Sequence, residues 1–347
     1  EAAGLLPGQV ADEVARAKPL LVSVGTDHVN SGDVTKMAAA GETARAIKQL
    51  TPCTPVIMTG NVPSAYPEAT LTEEGPDMVC QGEAYEPVLG LLKHIRAHGA
   101  DRRLSDNEIM GIWARYGTQI VKSGHSPRFD QADRLPYPAW DLMQPSRYRA
   151  HHWHCFDSLS KRSPYAAVFT NMGCPYACTF CSVNVAAGGP NLRPHSPGYV
   201  CGEIDMLVRE CGVRNIRILD NVFTARLDVV DELCAMISAR WSDLNLWAYA
   251  RVESVKNPEI LVKMKKAGVN WLAYGFEAAH ARVRNAVHKK TDDSATEQVI
   301  EWTRSAGIHI VANFIFGLPE DDRESMQLTF DMAKRYNFEW ANFYCAM

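Results

Sequence analysis

Three cysteines lie close together near the middle of the sequence, in the segment NMGCPYACTFCS that runs from residue 171 to residue 182. Three residues separate Cys174 from Cys178, and two separate Cys178 from Cys181. Three thiolates on one short loop can bind a single inorganic centre. A zinc or iron–sulfur site held by protein alone normally uses four ligands, and neither Cys155 nor Cys201 continues the spacing. Three ligands on a four-iron cluster would leave one iron open to substrate.

Two ordinary explanations of these cysteines fit the sequence less well than a cluster does. A structural zinc site would need a second pair of ligands at short spacing, and none follows. A disulfide would indicate an oxidising compartment, whereas the sequence shows no secretory signal. The segment CPYACTFC resembles the Cys-x3-Cys-x2-Cys signature of radical S-adenosylmethionine (SAM) enzymes. Phe180, an aromatic residue directly before the last cysteine, strengthens the resemblance.

The resemblance implies a cofactor set and a reaction. It implies a [4Fe-4S] cluster on the three cysteines, with its open iron bound to the amino and carboxylate groups of SAM. An external one-electron reductant of the flavodoxin or ferredoxin type would reduce the cluster, and SAM would be cleaved to methionine and a 5′-deoxyadenosyl radical. The radical would take a hydrogen atom from an unactivated carbon of a small-molecule substrate, which the sequence does not identify.

Polar residues at the ends of the later predicted strands extend the resemblance. Asp220 stands where the family contacts the SAM amino group, Arg251 could bind a carboxylate of SAM or of a substrate, and Glu277 could accept hydrogen bonds from ribose. The segment from Asn313 to Glu320 resembles the adenine-contacting element, with Asn313 in place of the more usual glycine. For any one of these residues the alternative is an ordinary ion pair or loop contact. The predicted SAM contacts are Phe180, Asp220, Asn221, Arg251, Glu277, Asn313 and Gly317.

Strand-like apolar runs alternate with helix-like segments from Tyr165 onward. The predicted strands are 166–170, 215–219, 246–250, 271–275, 308–314 and 341–345, and the predicted helices are 200–211, 228–239, 258–267, 294–306 and 323–336. Gly212, Gly268 and Gly307 each follow a helix, as a carboxyl-terminal cap does. Six strands with right-handed crossovers predict a partial (β/α)6 barrel over residues 165–347, with its chemistry at the carboxyl ends of the strands. The cysteine loop follows the first of these strands.

The first hundred residues also alternate strand and helix patterns. They predict an open doubly wound sheet, in which ligands lie beyond the carboxyl ends of the strands. The segments GNVPSAYPE and QGEAYEP resemble loops of the cobalamin-binding domain of cobalamin-dependent radical SAM enzymes, with the amino-terminal part of that domain absent. His28 is interpreted as an ordinary loop residue rather than a cobalt ligand, and the alternative for the whole region is a domain that binds nothing. The predicted cobalamin contacts are Thr26, Asp27, Gly60, Asn61, Gly82 and Glu83.

Residues 101–164 are predicted to connect the two domains. The stretch from Gly111 to Gly124 has the pattern of a hairpin, and the Pro-rich stretch from Leu135 to Asp141 is extended. His151, His152, His154 and Cys155 could bind a metal, but no further ligand completes the set. We therefore favour a polar linker over the barrel mouth.

Composition limits the remaining possibilities. The chain has 347 residues, 46% hydrophobic and 22% charged, with a net charge of −4, so nothing in its charge favours binding to nucleic acid. No apolar run is long enough to span a membrane, and ten cysteines without paired spacing fit a cytoplasmic protein. The chain opens on Glu1 and stops at Met347 directly after a strand-like run, so we expect a fragment lacking both ends.

The sequence favours a cobalamin-dependent radical SAM methyltransferase. A radical cyclase that uses the same cofactors is the alternative within enzymes. An iron–sulfur redox or binding protein without catalysis is the alternative from another class, but it would not account for the polar strand ends.

Overall fold

The computed structural model of the protein describes residues 4–26, 35–99, 103–156 and 158–346. The chain divides into two compact units. One unit comprises Glu1–Asp130 and Cys181–Asn191, and the other comprises Gln131–Phe180 and Leu192–Met347. No helix in the described ranges is long and apolar enough to cross a membrane.

The first unit is built on a five-stranded sheet in the order β1-β2-β3-β4-β5. Its strands are β1 (Val22–Gly25), β2 (Val56–Thr59), β3 (Met78–Cys80), β4 (Ile112–Tyr116) and β5 (Gln119–Val121). The first three strands are parallel, whereas β4 and β5 form a hairpin that runs antiparallel to β3. Ile57 of β2 faces one apolar cluster, and its neighbours Val56 and Met58 face another, as the alternation of side chains along a strand requires.

Helices cover both faces of this sheet. They are α1 (Pro7–Ala17), α2 (Thr35–Leu50), α3 (Asn61–Ala65), α4 (Pro67–Ala69) with a π turn at Thr70–Glu74, and α5 (Tyr85–His98). Leu91 and Ile95 of α5 pack on one face, while Ala44 and Ile47 of α2 pack on the other. This three-layer arrangement is the predicted doubly wound architecture.

The boundary of this unit differs from the prediction. The sequence pattern predicts the hairpin correctly but assigns it to a connector beginning at residue 101. In the structure, β4 pairs with β3 along Met78–Cys80, so the sheet continues across that boundary and the unit extends to Asp130. A hairpin pattern shows two strands but not the sheet edge on which they pair.

The second unit is built on six parallel strands in the order β13-β12-β11-β10-β9-β6. These strands are β6 (Tyr165–Val168), β9 (Asn215–Ile218), β10 (Asn245–Ala250), β11 (Val269–Glu277), β12 (His309–Phe316) and β13 (Trp340–Cys345). All six match strands predicted from the sequence. Two short strands follow β6 in the sequence and were not predicted. They are β7 (Asn171–Met172) and β8 (Arg193–Pro194), which pair only with each other among the described strands.

Five of the helices in this unit were predicted, and four of these five begin with a side-chain cap. The unit contains α6 (Trp140–Met143), α7 (Pro197–Cys211), α8 (Leu227–Arg240), α9 (Pro258–Lys266), α10 (Ala281–Ala286), α11 (Asp293–Ser305) and α12 (Arg323–Tyr336). Asn257 caps α9 by accepting from the Ile260 amide at 3.1 Å, and Pro258 occupies the first helical position. Gly268 follows α9 with φ +91°, and a Cβ there would lie 2.3 Å from the Leu244 carbonyl oxygen, so glycine is required. The short helices α6 and α10 were missed.

The two faces of the six-stranded sheet differ in composition. One face packs against α7, α8, α9 and α11 through aliphatic side chains such as Ile216, Leu272 and Ile310. The other face carries a cluster of large aromatic residues that includes Trp153, Trp247 and Trp271. The sheet therefore has an aliphatic helix-facing side and an aromatic side.

The histidine-rich segment of the predicted linker lies at the amino ends of the strands. The Cys155 Sγ donates to Asn215 Oδ1 at 3.2 Å, and Asn245 Nδ2 donates to the His154 carbonyl oxygen at 2.9 Å. Asn215 and Asn245 are the first residues of β9 and β10. The predicted placement over the barrel mouth is therefore wrong, because the mouth is the opposite edge of the sheet.

Burial keeps His154 of this segment uncharged. His154 is 2% exposed, and burial lowers the pKa of its imidazole to about 3, so the ring is neutral. Across the described ranges, no group of three His, Cys, Asp or Glu side chains is placed to hold a single metal ion. Trp153, between these histidines, packs on Trp247 and Trp271 with ring centroids 5.2 and 5.0 Å apart. The segment closes the sheet's amino edge by aromatic packing.

Candidate active site at the carboxyl edge of the six-stranded sheet

The predicted site residues of the second unit converge on one edge of its sheet. The cysteine loop follows β6, Asp220 follows β9, Arg251 follows β10, and Glu277 ends β11. Because the strands are parallel and adjacent, these positions all lie at their carboxyl ends. Gly317 directly follows β12 on the same edge.

Asp220 holds the start of the cysteine loop and does not face the mouth. Its carboxylate accepts from the Thr170 amide at 2.7 Å, from the Asn171 amide at 3.0 Å and from Asn171 Nδ2 at 2.6 Å. The Thr170 hydroxyl also donates to it. Asp220 is 0% exposed, and burial raises the pKa of its carboxyl to about 6 despite these bonds. Four internal donors already use its oxygens, and its contact with the SAM amino group stays a prediction.

Asn221 has a related role one residue later. Its Nδ2 donates to the Gly173 carbonyl oxygen at 3.3 Å, directly before Cys174. Gly173 has φ +81°, a left-handed conformation that favours glycine. The loop is therefore fixed to the end of β9 on its approach to the first cysteine.

Arg251 contacts the cysteine loop itself. Its Nη1 donates to Cys178 Sγ at 3.0 Å, and its guanidinium carbon lies 3.9 Å from the centre of the Tyr176 ring. Glu253 accepts from Arg251 Nε at 3.0 Å and also from Nη2. On the other side of the loop, the Thr179 amide donates to the Val287 carbonyl oxygen at 3.3 Å. The structure thus brings Arg251 to a predicted cluster ligand.

Glu277 is paired with a lysine that the sequence analysis did not identify. Lys289 Nζ donates to Glu277 Oε1, and the two side chains are 5% and 9% exposed. Glu277 has φ +61°, and the pairing with β12 shifts register between Gly275 and Glu277. A non-glycine residue in this conformation is unusual, and such positions cluster at functional sites. Its predicted contact with ribose stays a prediction.

Asn313 and Gly317 have different surroundings. Asn313 Nδ2 donates to the Tyr274 carbonyl oxygen at 3.1 Å, and its Oδ1 accepts from Asn342 Nδ2 at 3.0 Å. Its side chain therefore links three strands, and its contact with adenine also stays a prediction. Gly317 has φ +80°, and no atom lies within 4 Å of where a Cβ would be. It leaves open space at the edge of the sheet.

The three cysteines of the loop differ in exposure. Cys174 is 9% exposed, Cys178 is half-buried, Cys181 is exposed, and none of the ten cysteines, all of which are described, is in a disulfide. Burial raises the pKa of the Cys174 thiol, while a hydrogen bond with the Tyr176 backbone and the positive charges of Arg251 and Lys289 oppose that rise. The role of the three cysteines as ligands of an iron–sulfur cluster stays a prediction.

The loops predicted for cobalamin are partly occupied by the first unit's own chain. A Cβ on Gly82 (φ +111°) would lie 2.3 Å from Ser126 Oγ and 2.9 Å from the His125 ring. The Glu83 carboxylate accepts from the Phe129 amide at 2.8 Å. The close approach of Ser126 and His125 accounts for the glycine at position 82, and the contacts of Gly82 and Glu83 with cobalamin stay predictions.

The other predicted cobalamin residues lie at the ends of β1 and β2. The Thr26 amide and hydroxyl both donate to the Thr59 carbonyl oxygen, at 2.9 and 3.1 Å. Gly60 has φ +128°, and the buried Asn61 accepts from the Ala186 amide at 3.3 Å. Asp27 and His28 lie outside the described residues. Thr26, Gly60 and Asn61 remain predictions, placed at the carboxyl edge where a doubly wound sheet binds ligands.

Three residues of the site were missed for different reasons. Tyr176 lies inside the cysteine motif, and Glu253 stands two residues after Arg251, so both were within reach of the sequence pattern. Lys289 lies in a loop after the unpredicted helix α10. No sequence signal marked it.

A family model and several known proteins match this chain. Residues 168–333 match the radical SAM superfamily. An uncharacterized methyltransferase from Pyrococcus horikoshii is 27% identical over 83% of this chain and 59% of its own length. An anaerobic magnesium-protoporphyrin IX monomethyl ester cyclase from Cereibacter sphaeroides is 28% identical over 82% of this chain and 45% of its own length.

A solved structure matches both units of the fold. The radical SAM methyltransferase TsrM from Kitasatospora setae, solved with cobalamin and a [4Fe-4S] cluster bound, superposes with a TM-score of 0.75 at 18% identity. The match covers 98% of this chain and 64% of TsrM. The chain therefore spans only about half to two thirds of the length of the proteins that it resembles.

Proposed function

We propose that this protein is a cobalamin-dependent radical SAM methyltransferase, since residues 168–333 match the radical SAM superfamily. The observation that carries the proposal is the Cys174, Cys178 and Cys181 motif on the loop after β6, at the carboxyl edge of the six-stranded parallel sheet. A [4Fe-4S] cluster on these cysteines supplies, when reduced by an external one-electron donor, the electron that cleaves SAM.

The residues around the motif prepare the loop for this cluster. Asp220 and Asn221 fix its approach to Cys174, and Arg251 holds Cys178. Phe180, which is 40% exposed, the carboxylate of Glu277 and the open space beside Gly317 are the groups that would hold SAM. Fixed ligands avoid reorganisation during the reaction and exclude competing geometries.

The methyl-transfer part of the proposal depends on the first unit. Its doubly wound sheet presents Thr26, Gly60 and Asn61 at the carboxyl edge, and cobalamin bound there would supply the methyl group. The known proteins that resemble this chain support the proposal, since one is a methyltransferase by name and another was solved with cobalamin bound. The substrate is a small molecule with an unactivated carbon.

Product analysis tests methyl transfer. We expect the anaerobically reconstituted protein to bind hydroxocobalamin and, with its substrate, to form both S-adenosylhomocysteine and 5′-deoxyadenosine. Two products are expected because one SAM methylates cobalamin while another generates the radical. Absence of cobalamin binding would contradict the role proposed for the first unit.

Radical cyclisation is the second candidate function, and the similarity to the Cereibacter sphaeroides cyclase favours it. A cyclase would form 5′-deoxyadenosine without S-adenosylhomocysteine when cobalamin and substrate are present. The same product analysis therefore separates the two reactions. An iron–sulfur protein without catalysis would form neither product.

A further inference from the structure

The guanidinium of Arg251 is held in one orientation on the cysteine loop. It is 7% exposed, and each of its three nitrogens has a hydrogen-bond acceptor: Glu253 for Nε and Nη2, and the Cys178 sulfur for Nη1. A guanidinium is permanently charged and planar, so a fixed orientation also fixes the position of its charge.

Two further contacts complete this arrangement. The guanidinium lies 3.9 Å above the Tyr176 ring, a cation–π distance, and Glu253 Oε2 accepts from the Thr291 hydroxyl at 3.4 Å. Tyr176 lies between Cys174 and Cys178 in the sequence, so one cation contacts both a side chain inside the motif and one of the motif's ligands. Glu253 is in turn fixed by a residue from the segment before α11.

We propose that Arg251 is a positioning residue that orients Cys178 and raises the reduction potential of the bound cluster. The inference rests on the proposed function, because it concerns the cluster that the three cysteines would hold. Hydrogen bonds and positive charge at a cysteine sulfur stabilise the reduced, more negative state of a cluster. Arg251 supplies both at Cys178.

This role differs from the contact with a SAM or substrate carboxylate that the sequence suggests for Arg251. A free carboxylate would bind two parallel N–H groups of the guanidinium, but Glu253 already holds Nε and Nη2. The third nitrogen, Nη1, donates to sulfur, so these contacts use three of the five N–H groups of the guanidinium. The geometry therefore favours a partner of the cluster ligand over a partner of SAM.

Glu253, the neighbouring carboxylate, should affect the reduction potential in the opposite direction. Glu253 lies beside the same guanidinium and carries a negative charge that partly cancels it. Removing the Arg251 charge should lower the reduction potential, whereas removing the Glu253 charge should raise it. A residue with only a structural role would not give opposite shifts.

The test is a redox titration of the reconstituted protein, followed by the electron paramagnetic resonance signal of the reduced cluster. We expect Arg251→Met to shift the midpoint potential downward by at least about 59 mV, which corresponds to a tenfold change in a one-electron equilibrium. Glu253→Gln should shift it upward, and Arg251→Lys should give a smaller downward shift. Arg214→Met is the matched control, because Arg214 pairs with the exposed Asp243 at the opposite edge of the sheet, and it should leave the potential unchanged.

The outcomes separate this inference from the proposed function. The role of Arg251 alone would be overturned if both variants bound intact clusters with the midpoint potential of the wild type. It would also be overturned if Arg251→Met and Glu253→Gln shifted the midpoint potential in the same direction. If Arg251→Met binds no cluster, the directions of the shifts in midpoint potential in Arg251→Lys and Glu253→Gln decide whether the inference holds. A wild-type protein that takes up no iron–sulfur cluster would overturn the proposed function and this inference with it.

Discussion

Asp220 shows how a site residue can act without contacting a ligand. Its carboxylate accepts four hydrogen bonds from Thr170 and Asn171, which lead into the cysteine loop. In Asp220→Asn, the new amide N–H group would face two of these donors and leave them unpaired. We expect the free energy of unfolding to fall by about 2–4 kcal/mol and cluster uptake to fall with it, as measured by chemical denaturation and iron analysis.

A surface aspartate provides the control for this variant. Asp243→Asn removes one partner of an exposed ion pair with Arg214, which should cost no more than about 1 kcal/mol. Equal stability of the two variants would show that Asp220 does not hold the loop.

Glu203 makes the stability of the second unit depend on pH. It is 3% exposed, accepts from Trp140 Nε1 at 3.1 Å, and burial raises the pKa of its carboxyl from 4.5 to about 7. The folded protein therefore binds this proton more tightly than the unfolded chain does. The stabilisation is fully present below pH 4.5 and is lost as the pH rises through 7, and it amounts to about 3 kcal/mol by linkage.

The variant Glu203→Gln removes this titration. Its free energy of unfolding should change less between about pH 5 and about pH 8 than that of the wild type, and it should be the more stable protein at the higher pH. Denaturation curves at the two pH values measure the difference. Parallel pH dependence in both proteins would contradict the raised pKa.

At the scale of elements, a row of asparagines fixes the amino ends of three strands. Lys265 Nζ donates to Asn270, Asn270 donates to Asn245, and Asn245 donates to Asn215, at 2.8, 2.9 and 2.9 Å. Asn215 then donates to the Lys161 carbonyl oxygen at 2.6 Å. The four bonds form one continuous chain, which joins the amino ends of β9, β10 and β11 to Lys161 of the linker.

Breaking the row at its centre should loosen these elements. Asn245→Ala removes the partner of the Asn270 nitrogen and of the His154 carbonyl oxygen, which should lower the free energy of unfolding by about 1–3 kcal/mol. Gln298→Ala on the exposed side of α11 is a control expected within about 0.5 kcal/mol of the wild type. A thermal or chemical melt measures both, and identical curves would show that the row adds nothing to stability.

Periodicity predicted most of the elements because the strands of the second unit, apart from the more exposed β13, are largely buried and alternate with helices. The six strands and five long helices follow from apolar runs and from glycines such as Gly212 and Gly268. The six-residue helix α10 is too short to show a period, and β7 and β8 have two residues each. The hairpin was visible, but its pairing with β3 depends on tertiary contacts that no local pattern encodes.

At the scale of the whole molecule, the sequence predicted the edge of the second sheet at which the candidate site residues lie, but not the contacts that their side chains make. The carboxyl ends of parallel strands converge whatever their side chains are, so Asp220 and Arg251 were correctly placed. Their partners were not predictable, because hydrogen bonding to Thr170 or Cys178 depends on loop conformation. The glycine at position 82 is required by contact with Ser126, which is distant in the sequence.

The formation of 5′-deoxyadenosine by the reduced protein tests the central claim most directly. The wild type, reconstituted with about four irons per chain, reduced and supplied with SAM, should form 5′-deoxyadenosine. The variant with Cys174, Cys178 and Cys181 all replaced by alanine should neither retain the iron nor form this product. A wild-type protein that forms no more 5′-deoxyadenosine than the triple variant, or a triple variant that keeps its full iron content, would contradict the assignment of a radical SAM centre to this loop.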